Sequence, residues 1–385
     1  MIAGIPGQTP AGRGGMRAPH HCSRRTFLRG SLGLIAMCGV AGGVAGGLAG
    51  CASTTTSILD RIGTPTAAPA LIPSQRITIA NAAQMGRLAA LDAKNHRVRG
   101  VTWSPDGRLV VSGANPEVAL WDAATGKRLT TLNGHTSQVY SLAWSPANNL
   151  LASADGDGTV RIWDTKQGRS VQKLQGGPLL FSVTWSPDGR QIAAGTSDGS
   201  VLLWNAENGK QLAGWDGPEH HSHGGGYPFA VWGISWSPDG RQIVSTRYDD
   251  LVLVWDVATG RSRVIPKTDF QPNTVAWSPD GRQFAVTDDQ GKVVLWDGAT
   301  ATRGASFERH DDAGWSYGLT WSPDGSMVAS SRQSGIVQVW DARSGKELAL
   351  LEGHLNAVWG LAWSPDGMRL ASASDDGSVF LWGVR

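Results

Sequence analysis

The chain has 385 residues with 34 Lys and Arg against 32 Asp and Glu, 41% hydrophobic residues, 18 Trp and 3 Cys. This is ample for one large β domain, and the near-balance of charge removes the strong positive field that nucleic-acid binding requires. Splitting the chain sharpens the point: residues 1–50 hold five basic and no acidic residues, leaving 29 basic against 32 acidic in the remainder, with no basic run.

The chain opens on an address. Ser23-Arg24-Arg25-Thr26-Phe27-Leu28-Arg29 precedes an apolar stretch from Leu32 to Leu48, which ends in Leu48-Ala49-Gly50-Cys51. The first motif resembles a twin-arginine export signal carried by Arg24 and Arg25, and the last four residues resemble a bacterial lipobox. The resemblance implies removal of residues 1–50, lipidation of Cys51, and an extracytoplasmic domain tied to the cell-envelope membrane by its lipid alone. The alternative is a plain transmembrane anchor, for which Gly42, Gly46 and Gly50 have helix-packing spacing. Many glycines weaken such a span. All three cysteines (Cys22, Cys38, Cys51) lie in this region, so the remainder is disulfide-free. The start is either Met1 or Met16. Residues 51–75, rich in Ser, Thr, Ala and Pro, read as a flexible tether.

From about residue 76 the chain is repetitive. Trp-Ser-Pro begins at Trp103, Trp144, Trp185, Trp236, Trp277, Trp321 and Trp363, with successive starts 41, 41, 51, 41, 44 and 42 residues apart. A second tryptophan follows each by 18 or 19 residues: Trp121, Trp163, Trp204, Trp255, Trp296, Trp340 and Trp382. Within a unit, an alternating apolar strand ends in the first tryptophan and Ser-Pro-Asp-Gly makes a type I turn. A second strand follows (Leu370 to Ser374), then an Asp-Gly turn, then a third strand ending in the second tryptophan. After a Thr-Gly-Lys turn a fourth strand runs as in Leu129 to Leu132. Such a four-stranded sheet has two apolar faces and needs neighbours, so seven units imply an all-β ring.

The repeat resembles the WD-repeat β-propeller family over roughly residues 76–385, through Trp121-Asp122, Trp163-Asp164, Trp255-Asp256, Trp296-Asp297 and Trp340-Asp341, and through Gly134-His135 and Gly353-His354. Trp204-Asn205, Trp382-Gly383 and blades without Gly-His depart from it. The resemblance implies seven four-stranded antiparallel blades. It also implies a structural hydrogen-bonded set in blades two (His135, Asp157, Trp163) and seven (His354, Asp376, Trp382), of which blades three and four keep only Asp198 and Asp249. The chain ends after the third strand of blade seven, while Arg87-Leu88-Ala89-Ala90-Leu91 matches a fourth strand. The ring is expected to close by lending residues 87–92 to blade seven.

Catalytic motifs dissolve on inspection. Gly195-Thr196-Ser197-Asp198-Gly199 has serine-hydrolase spacing but falls on a strand-to-strand hairpin, without the strand-to-helix elbow that chemistry needs. Asp155-Gly156-Asp157-Gly158 lacks the ligand series and terminal glutamate of a calcium loop and reads as the same hairpin turn. An insertion from Trp215 to Phe229 carries His220-His221-Ser222-His223. His220, His221 and His223 are candidate metal ligands, with Asp216 or Glu219 to complete the set. The glycines Gly224-Gly225-Gly226 that follow fit a solvated loop as well.

Four residues before each first tryptophan stand Arg99, Tyr140, Phe181, Trp232, Asn273, Tyr317 and Trp359, and Trp315 lies near them. In the family this position opens onto the upper mouth of the central channel. The expectation is a monomeric, non-catalytic scaffold without a cofactor, binding a protein or peptide through these residues, with the rings taking a cationic side chain, a methylated amine or a sugar face. Packing between inner strands is the structural alternative. An enzyme or a carbohydrate- or metal-binding protein, using the His-rich insertion and the aromatic mouth, is the functional one.

Overall fold

The computed structural model describes residues 73, 75–93, 97–218, 227, 229–265, 271–308 and 314–385. Arg24, Arg25, Cys51, His220, His221 and His223 lie outside them.

The described residues form seven four-stranded antiparallel sheets. In six of them the strand order is the sequence order, as in blade one: Gly100–Trp103, Leu109–Gly113, Val118–Asp122 and Arg128–Leu132. Blade seven differs, since its fourth strand is Gly86–Asp92, paired with Ser378–Gly383 so that Arg87 faces Trp382 and Leu91 faces Val379. The expected closure is what the structure shows. Each blade's first strand contacts the first strands of both neighbours, and Val358–Trp363 contacts Gly100–Trp103 to complete the circle. A ring with no open sheet end follows.

The repeat's residues explain its geometry. Ser104 Oγ donates to Asp106 Oδ1 at 2.6 Å and accepts from Leu109 N at 2.9 Å, while Gly107 N reaches Ser104 O at 2.8 Å with φ +69°. A side chain with a Cβ would be strained at that φ, which accounts for Gly at the end of Ser-Pro-Asp-Gly. All fourteen periodic tryptophans are buried, in clusters that join one blade to the next. The first of each pair bridges blades where its N–H reaches a carbonyl: Trp103 to Ala362 O and Trp185 to Ala143 O, both 2.9 Å. The second ties its own blade, as Trp121 Nε1 to Ser112 Oγ at 2.9 Å.

Two details extend the sequence reading. Residues before the closing strand form a strap, in which Ile77 and Ala82 are buried against Trp363, Leu370 and Trp382, and Ile77 N donates to Gly367 O at 3.0 Å. Trp215 belongs to the strand Gln211–Asp216 and stacks on Trp255 with ring centres 5.7 Å apart, so the insertion begins after that strand.

The channel mouth as candidate functional site

The seven residues singled out by register, Arg99 through Trp359, all line one cavity of about 190 Å³ at the end of the channel where the first strands begin. A backbone irregularity puts them there. In six blades the pairing of first and second strands shifts register at this position: between Val139 and Ser141, Leu180 and Ser182, Val231 and Gly233, Pro272 and Val275, Ser316 and Leu319, and Val358 and Gly360. A bulged residue leaves the ladder and its side chain is re-aimed. Tyr140, Phe181, Trp232 and Trp359 are each the single residue skipped. After Trp232, Tyr317 and Trp359 the next residue is a glycine, which lets adjacent first strands close in: a Cβ on Gly233 would lie 2.8 Å from Thr274 Cα, and one on Gly360 would lie 2.9 Å from Arg99 O, whereas Ser141 and Ser182 follow Tyr140 and Phe181. An aromatic residue followed by Gly or Ser, four residues before the first tryptophan, is therefore a legible signal of this mouth.

The rings form one connected stack. Tyr140 meets Phe181 edge-on at 5.1 Å, Phe181 stacks on Trp232 at 4.3 Å, Trp232 lies 6.4 Å from Trp359, and Tyr317 stacks on Trp359 at 4.0 Å. Because Trp232 belongs to blade four and Trp359 to blade seven, this contact spans the channel. The cation among the rings is the chain's own: the Arg99 guanidinium lies 4.4 Å from the Trp359 ring centre and 5.2 Å from that of Tyr140, with Asp375 at 3.5 Å. Burial raises the Tyr140 hydroxyl above its ordinary pKa, opposed by the Arg99 charge, and raises that of Tyr317 further. Both remain neutral phenols.

The eight candidate residues do not play one part. Arg99, Tyr140, Trp232, Tyr317 and Trp359 are half-buried and face the mouth. Phe181 is only 6% exposed and packs beneath them. Asn273 is equally buried, and its Nδ2 donates to Ser316 O at 3.0 Å, so its amide holds blade five to blade six. Trp315 does not line the cavity but stacks behind Tyr317 at 6.4 Å. Register reasoning missed two residues at this end of the ring, Tyr227 and Leu355, the latter in the loop before Val358–Trp363. Tyr227 leans on Phe181 at 5.9 Å, and Leu355 is 91% exposed, its backbone N donating to Asp376 Oδ2 at 2.9 Å. Nothing in a repeat pattern distinguishes an exposed loop leucine.

The histidine sets are structural, with one correction. In blade seven, His354 Nδ1 is 2.9 Å from Asp376 Oδ2, His354 Nε2 is 2.7 Å from Ser372 Oγ, and Trp382 Nε1 donates to the same oxygen at 2.8 Å. Burial raises the Asp376 carboxyl, but hydrogen bonds from His354 and Ser378 outweigh it and leave the group well below the usual carboxylate range. In blade two, Ser153 takes the serine role, but the carboxylate facing His135 Nδ1, at 2.8 Å, is that of Asp155 and not of Asp157. Asp157 instead accepts from Thr136 Oγ1 at 2.6 Å and Thr159 Oγ1 at 2.7 Å. Asp155 ends the second strand with its side chain fully buried, whereas Asp157 sits in the turn that follows. The hydrolase-like pentapeptide is a hairpin between Gln191–Thr196 and Ser200–Asn205, with Thr196 Oγ1 donating to Asp198.

A search of curated proteins finds no match to the chain. The family model described as WD domain, G-beta repeat matches at residues 87–122, 126–164, 168–205, 219–256, 266–297, 302–341 and 345–383, well over half of the chain. The first match begins at Arg87, inside the strand that closes blade seven. The chain belongs to the WD-repeat family.

Proposed function

We propose that the propeller is a non-catalytic scaffold that binds a protein or peptide over the upper mouth, exported by the twin-arginine route and held to the envelope membrane through Cys51. The observation that carries the binding site is convergence: aromatic rings from five blades line one mouth, most of them on backbone bulges, and the exposed Leu355 stands in the loop that leads into the first strand of blade seven, at that same end of the ring. Aromatic rings give large contact area for little side-chain entropy, and an exposed leucine on the same end of the ring offers an apolar anchor. With Arg99 already on the Trp359 face, the partner is received by ring edges, the Arg99 rim and Leu355, and not by an open cation slot.

The export reading rests on Arg24-Arg25 before an apolar stretch and on Cys51 after Leu48-Ala49-Gly50. The binding reading is tested by placing a photo-crosslinking side chain at Leu355, on the mouth side, or at Asp239, in a Ser-Pro-Asp-Gly turn at the opposite end. A specific adduct from position 355 and none from 239 supports it; the reverse ends it.

A further inference from the structure

The two ends of the ring differ in charge. At the mouth end, six of the seven hairpins between second and third strands hold acid, among them Glu117, Asp157, Asp198, Asp250, Asp289 and Asp376. The bases of these hairpins offer little in return: Arg247 and Arg332 are buried, and Lys292 Nζ lies 3.1 Å from Glu308 Oε2. At the opposite, lower end the first strands finish in their tryptophans, and backbone bonds such as Ala123 N to Arg108 O at 2.9 Å tie the first-to-second turn to the third-to-fourth turn. Here blades one and two present Arg108, Lys127, Lys166 and Arg169, all exposed. The acids beside them are bound back to their turns. Asp106 Oδ1 accepts from Ser104 Oγ at 2.6 Å and Arg108 N at 3.1 Å, Asp122 is 7% exposed, and Asp164 Oδ1 accepts from Lys166 N and Gln167 N, both at 2.9 Å. Blade two has no acid in its first turn, Ser145-Pro146-Ala147-Asn148-Asn149. Long cationic side chains therefore form the outer layer of this arc.

The chain joins the ring at this same end. Ile77 N donates to Gly367 O at 3.0 Å, in the lower turn of blade seven, and Arg76 lies 3.8 Å from Asp324, in the lower turn of blade six. A Cβ on Gly383, which ends the third strand of blade seven, would lie 3.4 Å from Pro73 Cβ. Cys51, the lipid-bearing residue of the export reading, is thus joined to the basic end of the ring, and the acidic mouth lies at the other. Net charge does not decide how such a body meets a charged sheet. Screening over about 8 Å at physiological salt leaves the near face to interact.

We propose that the lower face around blades one and two docks on the anionic headgroups of the envelope membrane, so that lipid and basic face together hold the mouth turned outward. The inference rests on the envelope-anchored reading for its setting and adds a second contact to the lipid. Lys and Arg tips are drawn to a negative lipid surface, and the height of the ring keeps the acids of the mouth end away from it. Each contact is exposed and screened by salt, so the face orients a domain that the lipid already holds close.

The test uses residues 51–385 with Cys51→Ser, which hold every strand of the ring and carry neither lipid nor any other cysteine. Flotation is measured with vesicles of equal phosphatidylglycerol and phosphatidylcholine, and with vesicles of phosphatidylcholine alone. The protein should float with the first and not with the second, and added salt should release it. Lys127→Glu, Lys166→Glu and Arg169→Glu together should lower the partition coefficient by about 100-fold, while Asp198→Lys with Glu352→Lys, at the mouth end, should not lower it. The three replaced side chains are exposed, so melting temperature should stay at the wild-type value. A dye placed through Asn148→Cys or through Leu355→Cys reports orientation, and energy transfer to a lipid-borne acceptor should be stronger from position 148. Equal binding to both vesicles, binding to neither, an unaltered triple variant, or stronger transfer from position 355 overturns the proposal. Because this protein has no lipid, its result is read apart from palmitate labelling of Cys51, whose failure would end the anchored reading and not the docking.

Discussion

Arg99 of blade one lies over the ring of Trp359 of blade seven, 4.4 Å from its centre, and takes its counter-ion, Asp375, from the same blade. At the other end of this seam the direction is reversed. Arg369 of blade seven lies 4.7 Å from the ring centre of Trp103 and donates to Ala123 O at 2.7 Å and Gly107 O at 3.1 Å in blade one. The junction where the two ends of the propeller meet is thus stapled twice by arginine. A planar guanidinium can stack and donate at once, which an ammonium cannot.

Arg99→Ala removes the stacking and leaves Asp375, whose side chain is only 8% exposed, without its cation. A loss of about 2 kcal/mol in stability is expected, with Arg99→Lys between that and wild type. Arg369→Ala should cost about as much, and the double variant should add the two, since the sites share no partner. Chemical denaturation of the four proteins checks this.

The strap before the closing strand is expected to hold blade seven shut. Ile77 is 1% exposed, and Ile77→Ala should destabilise by about 2–4 kcal/mol. Deleting residues 76–92 removes the fourth strand as well and should produce an open edge and aggregation. Light scattering on heating separates the two variants, and a deletion that melts like the full domain would contradict the shared blade.

Burial pushes the Asp288 carboxyl up to about 6, against hydrogen bonds from the backbone of Lys292 and Gln290. The folded state then holds a proton that the unfolded state has released, so this group's contribution to stability falls as pH rises from about 4 to about 6. Asp288→Asn keeps the acceptor and removes the charge. It should raise stability above pH 6 by about 1–2 kcal/mol and flatten that part of the profile, as read from melting temperature against pH.

Replacing Arg24 and Arg25 by Lys keeps the charge but not the export motif, and should retain the protein in the cytosol. Cys51→Ser should abolish palmitate labelling. Fractionation and labelling of the two variants check the export reading, and wild-type behaviour in both would contradict it.

The fold was legible because Trp-Ser-Pro at fixed spacing, with a second tryptophan behind it, encodes one sheet seven times, and because Arg87-Leu88-Ala89-Ala90-Leu91 repeats a fourth strand out of place. The strap was not, since residues 76–85 around Ile77 repeat no part of the blade and carry no period. At the mouth, register found the right positions, but the use of Arg99 depends on Asp375, 276 residues away, which meet only when the ring closes. Asn273 looked like a free amide because nothing local shows that Ser316 O of the next blade lies 3.0 Å from it. In blade two the family pattern pointed to Asp157, and nothing local showed that Asp155, at the end of the strand before the turn, is the carboxylate that reaches His135.

The central claim, that the mouth is the recognition site, is tested most directly by measuring melting temperature and affinity for the partner crosslinked at position 355 on the same samples of wild type, Leu355→Glu and Trp359→Ala. Leu355 is almost wholly exposed, so Leu355→Glu should leave melting unchanged and weaken binding by about 2 kcal/mol. Trp359→Ala should lose both stability and affinity. Full affinity in Leu355→Glu, together with a Trp359→Ala protein that melts early but binds normally while folded, would show that the rings only fill the channel and would contradict the account.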